Sequence, residues 1–145
     1  MRSLFICIIF SAALNFSFGQ SIQDSAGSET RPGKILVFSR AEIMPEFKFG
    51  LRALEDSVKQ YLLKTDFKFP GTNIHVVLTV SKSGDITGVQ ILNDSETLQA
   101  GLLKKSLVAT SGSWIPAKQN EHIVSCYKKL SLNFSGTNLK ISNDN

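Results

Sequence analysis

The chain has 145 residues, 42% of them hydrophobic and 19% charged, with a formal net charge of +4. That is enough apolar material for one core and too little chain for two. The positive charge is small and scattered: the densest basic spots, Lys104-Lys105 and Lys128-Lys129, do not sit among aromatic residues as a nucleic-acid-binding face requires, which excludes that function class.

The N-terminus reads as an export signal. Arg2 precedes an apolar run from Leu4 to Leu14, and Ser17-Phe18-Gly19 places small residues at the cleavage-defining positions, so residues 1–19 are expected to be removed before Gln20. The alternative, an uncleaved membrane anchor, needs about twenty apolar residues, and Asn15 and Ser17 interrupt the run. Loss of the signal removes Cys7 and leaves Cys126 as the one remaining thiol. No internal disulfide can then form, and packing alone must hold the fold.

Residues 20–34 turn to Ser, Gly, Asp, Glu, Arg and Pro without apolar periodicity, the composition of a flexible linker. An ordered domain is expected over 35–134, followed by a tail over 135–145. Within the domain, Phe47, Leu51, Leu54, Val58, Tyr61 and Leu62 recur at steps of three and four, predicting an amphipathic helix with Pro45 as an early helical residue. Phe69-Pro70-Gly71 stops the chain before the next element. Ile74, Val76, Leu78 and Val80 then alternate with polar residues, and Lys82-Ser83-Gly84-Asp85 supplies a turn in which Gly84 can take positive φ. Together with a second strand over 86–92 this predicts a hairpin. Asn93-Asp94-Ser95-Glu96 offers caps for a second helix through Leu98, Leu102, Leu103 and Leu107, ended by Ser111-Gly112-Ser113. Trp114-Ile115-Pro116 reverses the chain, with the indole expected in the core. The last strand, over 122–134, places Val124, Cys126, Leu130, Leu132 and Phe134 on one face, where Lys128 alone interrupts the apolar series.

The connections suggest a sheet. The hairpin strands are antiparallel neighbours, and a right-handed helical crossover carries the third strand past the second to lie beside the first. The expected fold is α+β: a three-stranded antiparallel sheet of order 2-1-3 with two helices on one face, its last strand at the edge with half its main-chain groups unpaired.

Several short motifs add a family. Phe38-Ser39-Arg40-Ala41-Glu42, Met44-Pro45-Glu46-Phe47, Tyr61-Leu62, Phe69-Pro70, the turn at 82–86, Trp114-Ile115-Pro116-Ala117-Lys118-Gln119-Asn120 and Leu132-Asn133-Phe134 resemble, in order and spacing, the C-terminal domain of TonB-type energy transducers in the version common in Bacteroidetes. The match covers most of the exported chain. It departs from the family at Phe49-Gly50, in the short connection over 70–73, at Gln99-Ala100-Gly101, at Ala117 and at Ser131. A transmembrane anchor and the family's long Pro-rich spacer have no counterpart in this sequence. The resemblance implies a periplasmic, non-catalytic module with no cofactor or metal. Its partner would be a protein or peptide strand, such as the TonB box of an outer-membrane, TonB-dependent receptor, added to the last strand. By position the contact set would be Ile123, Val124, Ser125, Cys126, Tyr127, Lys128 and Lys129, with Pro45, Phe47, Gly84, Trp114 and Pro116 as structural motif residues. The alternative is a structural domain that forms a homodimer through the same edge.

An enzyme is not expected. His75, His122, Cys126 and scattered carboxylates are the only reactive candidates, and no GxSxG, HExxH, CxxC or phosphate loop occurs. On a strand, His122 and Cys126 stand about 13 Å apart, too far to share a metal or a proton. Cys126 reads as a buried small hydrophobe and His75 as a solvent-facing strand residue. Neither nucleic acid nor a small-molecule substrate is implied.

Overall fold

The computed structural model describes residues 35–92 and 98–144. The signal and linker expected over 1–34 and the capping run Asn93-Asp94-Ser95-Glu96 lie outside the described residues. In chain order the elements are β1 (Val37–Phe38), β2 (Glu46–Phe47), α1 (Gly50–Leu63), β3 (Asn73–Val80), β4 (Ile86–Ile91), α2 (Leu98–Val108), β5 (Trp114–Ile115), β6 (Ala117–Gln119), β7 (His122–Ser135) and β8 (Asn138–Asn143).

The α+β class holds, with two helices, but the sheet is not the expected three-stranded antiparallel one. It is a six-stranded, mixed, curled half-barrel, with a separate two-stranded sheet made by β2 and β5. The three predicted strands do occur as neighbours β4-β3-β7, antiparallel throughout, which is the order 2-1-3 inside a larger sheet. Three further segments join β7. β1 pairs with it in parallel, while β6 and β8 pair with it antiparallel. The segment after Phe134, read above as a tail, is therefore a sheet strand. Gly136, at φ 56°, lets the chain fold back so that Leu139 and Ile141 reach the core.

The first helix starts later than its periodicity suggests. Pro45 and Phe47 precede it, because Glu46–Phe47 pairs with Trp114–Ile115 and the Phe47 ring stands edge-on to Trp114 at 5.5 Å. Partners more than sixty residues away thus override a local helix signal. The helix then buries Leu54, Val58 and Leu62 along one stripe. In the β3–β4 turn Gly84 adopts φ 84°, and a Cβ there would collide with the carbonyl oxygen of Trp114. Glycine is required at this position both for its left-handed conformation and for the close approach of the backbone.

Both helices cover the same face of the sheet. Leu54, Val58, Leu62, Leu103 and Leu107 pack with Val76, Leu78, Val80, Leu130, Leu132 and Phe134 in one continuous core, each fully buried leucine or valine contributing about 1.5–3 kcal/mol. Trp114 is 1% exposed, and its Nε1–H donates to Thr110 Oγ1 at 3.0 Å, the buried role expected for the indole. No helix among the described residues is long and apolar enough to cross a membrane.

Candidate functional site

The contact set implied by the resemblance lies on β7, and β7 is not an edge strand. β3 pairs with residues 126–133. β1 pairs with 125–126 and β8 with 130–135, and since both overlap the stretch held by β3, both must lie on its opposite side. β6 takes 122–124. Ile123, Val124, Ser125 and Cys126 therefore already have strand partners, and a long incoming peptide has no open rail there. The expectation of a free last strand rested on ending the domain at Phe134. The additional strands before α1 and after β7 occupy that side.

One interruption remains. Between the stretches covered by β1 and β8, Tyr127, Lys128 and Lys129 have no strand on the side away from β3. The Asp144 N–H donates to the Lys129 carbonyl at 3.2 Å, which sets the phase of the ladder: odd-numbered residues of β7 turn their main chain toward β8 and the gap, even-numbered ones toward β3. A cleft of about 480 Å³ opens here, lined by Ser39, Arg40, Met44, Tyr127, Lys128, Lys129, Asn143 and Asp144.

Lys128 is the unusual member. Its alternation along β7 directs it to the buried face, between Cys126 and Leu130. Those neighbours belong to different hydrophobic clusters. Leu130 is in the main core, whereas Cys126 packs with Ala41, Ala117 and Val124 in a smaller one. Lys128 occupies the seam between them at 8% exposure. Among the described residues no acceptor hydrogen-bonds it and no carboxylate lies within 4 Å, the one ion pair there being His75 with Asp144. Burial holds its ammonium below the ordinary range, while Glu46 and then Cys126 favour the charged form. The Cys126 thiol is pushed up by burial, opposed by a hydrogen bond from the Tyr127 main chain and by the charge of Lys128.

Among the described residues His75, His122 and Cys126 do not come together. His75 Nδ1 lies 2.7 Å from Asp144 Oδ2, a pairing invisible while the C-terminal segment was read as a tail. Ser131 is directly across from His75 on β7, but no nucleophile hydrogen-bonds to the His75 ring. The pair fixes the β8 end to β3. His122 is exposed and Cys126 buried on the same strand, and no group of three potential metal ligands occurs among the described residues.

The other two borders of the sheet differ. On β8 the outward N–H of Ile141 donates to Glu55 Oε1 at 2.7 Å, so α1 blocks that rim. On β4, the Leu92 N–H donates to the His75 carbonyl at 2.9 Å. With Ile91 opposite Val76, this phase turns the main chains of Val89 and Ile91 away from β3, where no strand lies among the described residues. No family model, curated protein or solved structure matches this chain.

Proposed function

We propose that the chain is a non-catalytic, exported protein- or peptide-binding module, related in kind to the C-terminal domains of TonB-type transducers, that docks an extended segment of a partner by strand addition. The docking rail is the outer border of β4 rather than β7. The observation that carries this reading is the contrast between the two long borders: Glu55 occupies the outward donor of β8, whereas Val89 and Ile91 present outward main-chain groups that no strand takes up among the described residues. Paired donors and acceptors would supply affinity, and the exposed side chains Thr87, Gln90 and Leu92 along this border would supply selectivity. The ordered motifs around Pro45, Trp114 and Phe134 support the kinship, and an outer-membrane receptor segment is the partner class it suggests. The N-terminal run supports export.

Val89→Pro tests the rail. Proline at an outward-facing edge position removes a free N–H and no ladder bond, so the variant should keep the fold. Titration of labelled protein with synthetic peptides copied from the N-terminal segments of TonB-dependent receptors should shift the amides of β4, and Val89→Pro should weaken binding at least tenfold. Equal binding by the variant, or shifts confined to β8 and α1, would overturn the assignment. A concentration-dependent dimer that protects the β4 amides would replace it with self-pairing.

A further inference from the structure

A second site follows from Lys128 and does not depend on strand addition, because β3 separates β7 from the β4 border. A lysine whose residue is only 8% exposed is costly to keep charged unless an anion or several acceptors meet its ammonium. Here the strand could carry leucine, as it does two residues on, and the seam between the two cores would close. Instead Lys128 borders both the 480 Å³ cleft and a smaller recess of about 180 Å³ shared with Glu46, Phe47 and Trp114.

We propose that the cleft between β1 and β8 is a carboxylate-binding site, in which the Lys128 ammonium receives the anion and Arg40 and Lys129 attract it at the mouth. The charges around the cleft favour this. Arg40 and Lys129 are exposed at its walls, and the one acid in the lining, Asp144, is already turned to His75. Glu46 lies in the recess on the other side of Lys128, beyond contact distance. The Asn143 side chain adds a neutral group able to donate a hydrogen bond to the second carboxylate oxygen. A single buried cation matches a monoanion, and the volume suits the end of a peptide or a small organic acid. Both sources present the same group to Lys128.

Calorimetric titration of the folded protein distinguishes them. The probes are a short acetylated peptide with a free C-terminal carboxylate, the same peptide amidated, an amidated peptide with one internal glutamate, and succinate. The acid forms should bind at a single site, and amidation of the first peptide should weaken binding at least tenfold. Tight binding of succinate alone assigns the source to a free acid; binding of the peptide acids assigns it to a polypeptide. Lys128→Met should abolish binding and at the same time raise the melting temperature, a combination that a purely structural lysine would not produce. Arg40→Gln, at the exposed mouth, should weaken binding about threefold to tenfold without altering stability. The proposal is overturned if acid and amide bind alike, if no carboxylate binds, if inorganic phosphate binds tenfold tighter than any carboxylate, or if Lys128→Met binds as well as the parent.

Discussion

Lys128 shows how one side chain can cost stability in the fold and still define a site. Because burial holds its ammonium below the ordinary 10.5, the unfolded chain keeps that proton over a range where the folded chain has released it. In that range the unfolded state binds more protons, so stability rises with pH. Below it the desolvation penalty applies, offset in part by Glu46. Lys128→Met should therefore stabilise the protein by about 1–3 kcal/mol near neutrality, and the advantage should shrink as pH approaches 10.5. Paired denaturant curves at pH 7 and pH 10 check this, and an advantage that grew with pH would contradict it. The lysine was visible in the sequence as the one charged residue in an apolar alternation. Its isolation was not, since that depends on where Glu46 and Asp144 come to rest. Gly84 was fully legible as a turn glycine; its contact with Trp114 was not.

At the scale of elements, β8 decides more than its length suggests. It buries Leu139 and Ile141, occupies the far side of β7 and brings Asp144 to His75. A chain ending at Ser135 loses two core side chains at about 2–5 kcal/mol each, against a total stability of about 5–15 kcal/mol for a typical domain. It also exposes the main chain of β7 to other copies. The truncated protein should unfold at markedly lower denaturant or self-associate, measured by circular dichroism and sedimentation. Melting as a monomer indistinguishable from the full chain would show β8 to be dispensable. The alternation Asn138-Leu139-Lys140-Ile141-Ser142 behind Gly136 is a hairpin signal that lies beyond Phe134, where the family resemblance ends. No such signal marks β1, β2, β5 or β6, whose two or three residues are too few to show a period.

For the whole molecule, the two hydrophobic clusters imply unequal local stability. The main core joins both helices to β3, β4, β7 and β8, while the smaller cluster has Ala41, Ala117, Val124 and Cys126 as its buried members. With fewer buried contacts it should open first. Labelling of the Cys126 thiol under native conditions should then show a weaker denaturant dependence than amide exchange at Leu132, whereas identical dependences would mean that both clusters open only in global unfolding. The sequence by itself determined the class of the fold, its two helices, the β3–β4 hairpin and the placing of β3 beside β7, because these follow from apolar periods of two and near four and from turn residues that act within a few positions. Tertiary structure alone decided that β7 would be an inner strand and, among the described residues, that β4 would keep a free border and Lys128 would lie between two cores without a partner. These depend on pairings between segments tens of residues apart, and such pairings leave no period in the chain from which they could be read.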